Sequence, residues 1–310
     1  MGFAIKGQEE KVLKLKKALY GLKQAPRAWN SRIDKYFQDN EFVRCQHEYA
    51  LYVKKFDNGD ILLVCLYVDD LIFTRNNPNL FEDFKKVMSC EFEMTDIGLM
   101  SYYLGLEVKQ MNNDIFVSQE SYAKKKLKKF KMFDCNPVNT PMEGSLKSSK
   151  FDRGEKEDPT LFKSLVRNLW YLTSTRPDIM YAVGAVCRFM ESLTSTHMKT
   201  AKIILRYLKD TLDFVLFYSS SNVFKLMGFG YDDFAEDVDD SVTTHFVTYD
   251  TSDTRYHFIR ECIVNKEVEL VHVKTQDQVA DIFTKPLKSK DFRRLRVRIG
   301  VQNFLITKGS

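Results

Sequence analysis

Asp69 and Asp70 stand side by side directly after an eight-residue apolar run, ILLVCLYV, that ends in Tyr67-Val68. Phosphoryl transfer needs hard oxygen donors able to hold two Mg²⁺ ions about 4 Å apart. Adjacent aspartates where a strand turns can supply such donors, because the sheet fixes the backbone that carries them. Asp-Asp is also a common turn pair with no chemistry. The leading tyrosine and the long apolar run weigh against that plainer reading. A second constellation is Tyr20-Gly21-Leu22-Lys23-Gln24-Ala25-Pro26. Gly21 lets a backbone approach a ligand closely, and Lys23 offers a cation to a phosphate. Taken alone, a loop before a helix is the simpler account. A third is basic: Lys124, Lys125, Lys126, Lys128, Lys129 and Lys131 place six lysines in eleven residues. Such a row can neutralise phosphates along a duplex, or form a solvated helix face.

Other candidates weigh less. Asp232, Asp233, Glu236, Asp237, Asp239 and Asp240 read as an exposed loop rather than a metal site. His257 has no second His or Cys at zinc spacing and reads as structural. Trp29 and Trp170 read as core residues.

These groups need elements to position them. Pro26 opens an amphipathic helix, RAWNSRIDKYFQ, at the position where its missing N–H costs nothing. YALYVKKF alternates, and Asn58-Gly59 then signals a hairpin, since both turn positions tolerate positive φ. ILLVCLYV is apolar without alternation, which predicts a strand buried on both faces. Asp69-Asp70 then turns into LIFT, completing a three-stranded meander. A helix is predicted over 81–93, a hairpin from LGLEVKQ through Asn112-Asn113-Asp114 to IFVSQ, and a basic helix from Ser121. Residues 133–160, with Pro137, Pro141, Gly144, Gly154 and Pro159, read as a linker. Three helical stretches follow between 160 and 210, and a basic tail runs over 285–298.

The chain has 310 residues, 44% hydrophobic and 29% charged, with a net charge of +5. That is ordinary globular usage for about two domains, and it excludes wholesale disorder and fibrous chains. The charge is too small to indicate nucleic-acid binding by itself. An eight-residue apolar run is far short of the roughly 20 that span a membrane, and MGFAIKGQEE lacks a signal-peptide core. The six cysteines are scattered without CxxC pairs. A reducing, intracellular setting is expected, cytoplasmic or nuclear.

KLKKALYGLKQAPRAW followed by VCLYVDDLIF closely resembles the reverse transcriptase of copia-type retrotransposons. MTDIG, YYLGLEV, IFVSQESYAKKKLKKFKM, CNPVNTPM, LVRNLWYLTSTRPDIMYAV, AKIILRYLK, RYHFIRE and VHVKTQDQVADIFTKPL follow in the same order. The resemblance covers nearly the whole chain except roughly 240–252. It implies an α+β protein with an antiparallel palm sheet in three parts. These are a truncated reverse transcriptase without fingers (1–142), a helical thumb or connection region (143–220) and a degenerate ribonuclease H-like remnant (221–310). It implies Mg²⁺, dNTPs, an RNA/DNA template–primer duplex, other Pol-derived chains as partners, and no membrane. Carried over, Asp69 is the main metal ligand and Asp70 its less direct partner, with Tyr67 in the same motif. Tyr20 to Pro26, with Gly21, Lys23 and Gln24, lies under the templating base and incoming nucleotide. Lys124, Lys125, Lys126 and Lys128 grip duplex backbone, and Asp232 and Asp281 belong to the ribonuclease H motifs.

The departures are specific. The family's third catalytic aspartate lies upstream of the block containing Gly2-Phe3 and has no match here. Its first ribonuclease H aspartate falls on Tyr231, which Asp232 could replace only by a one-residue shift, and a segment bearing further carboxylates is missing between about Val247 and Asp253. Arg167, Asn168 and Asp210 replace residues that are more usual in the family. Two expectations result: an enzyme that needs a partner or upstream segment, or a non-catalytic remnant that binds nucleic acid weakly or has no selected function.

Overall fold

The computed structural model describes residues 21–142 except 78, 112 and 113, residues 158–219 except 191 and 192, residues 273–304, and residues 155, 227–229, 264–266, 269 and 271. The chain is α+β and divides into two compact units, Met1–Gly98 and Leu99–Ser310.

In the first unit, α1 (Ala25–Asp39) has Pro26 in its first turn and buries Ile33 and Phe37. An antiparallel sheet follows in the order β1 (Val43–Arg44), β2 (Leu51–Lys55), β3 (Ile61–Tyr67), β4 (Asp70–Arg75). Asn58-Gly59 makes the β2–β3 turn, with Gly59 at φ +85° as that turn requires. α2 (Leu80–Phe92) buries Phe84 and Met88. Both helices pack on one sheet face, where Tyr52, Leu62, Val64 and Leu66 are buried. Phe37 meets Tyr52 with ring centroids 4.7 Å apart, and Phe73 meets Phe84 at 5.0 Å.

The expected two-sided burial of ILLVCLYV is corrected here. Leu62, Val64 and Leu66 are buried, but Leu63 and Cys65 are only half-buried, and Ile61 and Tyr67 are exposed. Continuous apolarity put apolar residues on both faces, and within this unit the helices cover only one. The strand also ends at Tyr67, a residue earlier than expected.

Tyr52 is fully buried and its hydroxyl donates to Asp34 Oδ1 at 2.7 Å. Burial, then the hydrogen bond to Asp34 and its charge, push the phenol up to about 12, with Arg44 opposing. The stability this contributes is whole below the ordinary phenol value near 10. It is lost as pH rises from there to about 12, because the unfolded phenol ionises first. Tyr52→Phe should therefore flatten the fall of melting temperature over that window. An equal fall in both proteins would exclude Tyr52 as its source.

In the second unit an antiparallel sheet runs β5 (Tyr102–Tyr103), β6 (Leu106–Met111), β7 (Asp114–Ser118), β8 (Phe214–Tyr218), β9 (Val301–Asn303). The helices are α3 (Glu120–Lys129), α4 (Pro159–Leu172), α5 (Met180–Cys187), α6 (Ser195–Asp210), α7 (Asp281–Thr284) and α8 (Ser289–Arg298). Asp158 caps α4 by accepting from the Thr160 N–H, and Thr194 with His197 forms a capping box on α6. Leu165, Leu169, Val183, Ile204 and Leu208 share one core with Ile282, Phe292 and Leu295 from the last helices. Residues 133–142 are not a free linker, since Val138 packs on that core and Met142 lies in it. Asn112, Asn113 and most of 143–157 lie outside the described residues.

One buried ion pair ties this unit together. Arg176 donates from Nε and an Nη to the two oxygens of Asp178, both at 2.9 Å, and to the Thr211 carbonyl at 2.9 Å. The Tyr207 hydroxyl donates to Asp178 at 2.6 Å and accepts from Arg296 at 3.1 Å. The turn Pro177–Ile179 and α6 are thereby joined through buried groups, and α8 adds the half-buried Arg296. Burial opposes the Arg176 charge, but Asp178 and Tyr207 outweigh it and carry its pKa up.

Among the described residues no helix is long and apolar enough to cross a membrane.

Candidate active site

The β3–β4 hairpin brings the carboxylate pair to one turn. Tyr67 pairs with Asp70 across the ladder, leaving Val68 and Asp69 as the two turn residues. Asp69 and Asp70 are both exposed. Val68 sits at φ +55°, a region that β-branched residues rarely enter. Its carbonyl accepts a hydrogen bond from the Trp29 indole N–H at 2.6 Å.

Trp29 is one helical turn past Pro26, so α1 links the two constellations seen in the sequence. Gly21 adopts φ +87° with open space where a side chain would stand. Lys23, Gln24 and Pro26 are exposed at the start of α1, and the Leu22 carbonyl accepts from Ala25 N–H at 3.0 Å. Tyr20 lies outside the described residues.

The oxygen donors of Asp69 and Asp70 fit a hard cation in kind. Mg²⁺ is commonly held by one or two carboxylates, with water and substrate phosphates completing its shell. No group of three or more His, Cys, Asp or Glu among the described residues is placed to hold a metal ion. The pair therefore suits one such ion, and these residues show no cradle for two.

In the second unit, α3 carries Lys124, Lys125, Lys126, Lys128 and Lys129, while Lys131 falls beyond its end at φ +56°. Several ammonium groups have partners. Lys124 pairs with Glu120 at 2.5 Å, Lys126 lies 4.4 Å from the Tyr122 ring centre, and Lys129 donates to Ser164 Oγ at 2.9 Å. Burial, then the neighbouring charges of Lys129 and Lys125, lowers the Lys126 pKa.

Asp281 opens α7 and is buried, 3.2 Å from Lys285 Nζ. It borders a cleft of about 660 Å³ that is also lined by Lys274, Asp291 and Arg294. Its close ionic partner is thus a lysine. Asp232, the acidic run around it and His257 lie outside the described residues.

Two readings of the tryptophans change. Trp170 is not a core residue, being 58% exposed. The buried stripe of α4 is Phe162, Leu165, Val166, Leu169 and Leu172, and position 170 falls off that 3.6-residue spacing. Trp29 is half-buried and packs beside the core, but its polar end serves the Asp turn. Residue type alone does not single out Arg176, Asp178 or Tyr207. The signal for them was Arg-Pro-Asp, two charges flanking a proline inside otherwise apolar helical sequence.

The β3–β4 hairpin thus carries Tyr67-Val68-Asp69-Asp70 at its turn and is backed by α1 and α2. The profile of the family described as reverse transcriptase (RNA-dependent DNA polymerase) matches residues 1–144. The retrovirus-related Pol polyprotein from transposon RE1 of Arabidopsis thaliana is 31% identical over 97% of this chain and 26% of its own length. That from transposon TNT 1-94 of Nicotiana tabacum is 34% identical over 80% of this chain and 19% of its own length. The putative transposon Ty5-1 protein of Saccharomyces cerevisiae is 30% identical over 71% of this chain and 72% of its own length. The chain belongs to the reverse transcriptase family of retrotransposon Pol polyproteins. It spans about a quarter of the length of the RE1 polyprotein. The RE1 alignment runs over 376 positions against a chain of 310 residues, so that relative has segments without a counterpart here. No solved structure matches the chain.

Proposed function

We propose that the chain is, by descent, an RNA-directed DNA polymerase segment that holds part of a nucleotidyl-transfer site. The supporting observation is Tyr67-Val68-Asp69-Asp70 at the β3–β4 turn, with both carboxylates exposed to an incoming ligand. In this reading residues 1–142 derive from the reverse transcriptase palm, 143–220 from a thumb or connection region and 221–310 from a ribonuclease H-like domain. Mg²⁺, when bound, would polarise the nucleotide phosphates and favour attack by a primer 3′ hydroxyl. The protein's own part is to hold Asp69 as ligand with Asp70 beside it. Gly21 leaves its side of the loop open to a close backbone approach, and Lys23 offers a cation to phosphate. With two carboxylates at the turn, the polypeptide by itself works as a binder of nucleic acid rather than a polymerase.

The lysines of α3 give the test. A row of cations binds duplex through phosphate neutralisation, without regard to sequence. Replacing Lys124, Lys125 and Lys126 together with alanine is expected to weaken template–primer binding. The slope of log affinity against log salt should flatten by up to about 0.9 for each phosphate no longer neutralised. Part of the change should be offset, because Lys124 must leave Glu120 to reach a phosphate. An unchanged slope would remove α3 from the interface, and absence of salt-dependent binding in the parent protein would remove the binding role.

A further inference from the structure

We propose that Trp29 is a positioning residue for the Asp69–Asp70 carboxylates, acting through the Val68 carbonyl; this rests on reading that turn as the metal-binding site. Val68 at φ +55° is a conformational outlier for a β-branched residue. Such backbone persists where the surroundings over-determine it. Val68 is 56% exposed, so core packing does not impose the conformation. Among the described residues, the turn is held by the Tyr67–Asp70 ladder pair and by the Trp29 indole N–H, 2.6 Å from the Val68 oxygen. That oxygen belongs to the planar peptide joining Val68 to Asp69. Fixing it fixes the orientation of the peptide, and with it the point from which the Asp69 side chain departs.

The indole is itself clamped. Its ring stands edge-to-face on Phe92 with centroids 5.4 Å apart at 88°. Phe92 is gripped in turn by Tyr36 at 5.2 Å and by the Arg32 guanidinium at 5.2 Å, and Arg32 also donates to the Glu91 carbonyl at 2.7 Å. Residues 29, 32 and 36 fall on one face of α1. The clamp therefore connects α1, the end of α2 and the Asp turn. A tryptophan kept only for packing needs its ring, not its N–H. Trp29→Phe keeps an aromatic ring and removes the donor, so the two roles separate.

The probe is Mn²⁺, titrated into the purified protein and read by electron paramagnetic resonance. Asp69→Ala should abolish the binding seen in the parent. Trp29→Phe should weaken it about fivefold, the factor corresponding to one ordinary hydrogen bond, with the melting temperature little changed. Unchanged Mn²⁺ affinity in Trp29→Phe, with affinity still lost in Asp69→Ala, overturns the positioning role and leaves the carboxylate reading intact. Mn²⁺ binding that survives Asp69→Ala overturns the reading of the turn and this inference with it. A second measurement covers the case in which Trp29→Phe does not fold. Mg²⁺ should shift the Trp29 indole N–H resonance in the parent and leave it in place in Asp69→Ala; a resonance that ignores Mg²⁺ in the parent overturns the proposal.

Discussion

Asp178→Ala is expected to lower the stability of the second unit by about 3–5 kcal/mol, the cost of removing one partner from a buried ion pair. The Asp178 side chain has no exposed surface and that of Arg176 has 6%. Removing the carboxylate leaves the guanidinium with Thr211 as its remaining hydrogen-bond partner, through the carbonyl and Oγ1. It also takes the acceptor from the Tyr207 hydroxyl. Neither group can reach water for compensation, so most of the desolvation penalty appears as lost stability. Typical domains are stable by only about 5–15 kcal/mol in total, so this one change is large enough to unfold a unit at the lower end of that range. Urea unfolding followed by circular dichroism measures the effect. Replacing both partners with apolar residues, Arg176→Met with Asp178→Leu, is expected to recover much of the loss, because no uncompensated charge then remains. A single Asp178→Ala cost below about 1 kcal/mol would mean that the pair is hydrated and contributes as a surface pair does.

The parts of this protein that were readable in its sequence are those set by local chemistry. Asn58-Gly59 requires φ tolerance and forms the turn expected of it. The run ILLVCLYV with Asp69-Asp70 gave strand, turn and carboxylate pair, and Pro26 marked the start of α1. The 3.6-residue spacing identified α4 and α6. What stayed hidden depends on partners distant in sequence. The pairing of Phe214–Tyr218 with residues 115–117 and 301–303 leaves no periodic mark, because register across such separations is settled by packing. Leu63 and Cys65 look identical in kind to Leu62 and Val64, and only the placement of two helices decides which face is buried. Trp29 as a ring was legible from its aromatic type, but the target of its single N–H was not. Arg176 and Asp178 are two residues apart, yet their burial follows from α6 and α8 closing over them.

The 310-residue polypeptide, assayed alone, is expected to extend a primer no faster than its own Asp69→Ala variant, in Mg²⁺ or in Mn²⁺. Asp69 and Asp70 supply hard oxygen donors, but among the described residues no third His, Cys, Asp or Glu joins them to hold a metal. A two-metal mechanism needs ligands that bridge both ions at fixed separation, and water cannot impose that geometry. Each ion supplies several kcal/mol of transition-state stabilisation. At about 1.4 kcal/mol per tenfold in rate, the loss of one ion removes several orders of magnitude. Cleavage of RNA in a hybrid should fail for a parallel reason. Asp281, which the proposed ribonuclease H-like reading would make a ligand, is held 3.2 Å from the Lys285 ammonium. On the same reading Tyr231 would take the place of another carboxylate, and a phenol, with an ordinary pKa near ~10, is no anionic ligand at neutral pH. The decisive comparison is primer extension with and without an added polypeptide that carries the upstream part of a related Pol protein. Rescue by that polypeptide, abolished by Asp69→Ala, would show that the turn is competent and lacks only its complement. Extension by the unaided chain well above the Asp69→Ala control would mean that another carboxylate completes the site, and the incomplete-site reading would have to be abandoned.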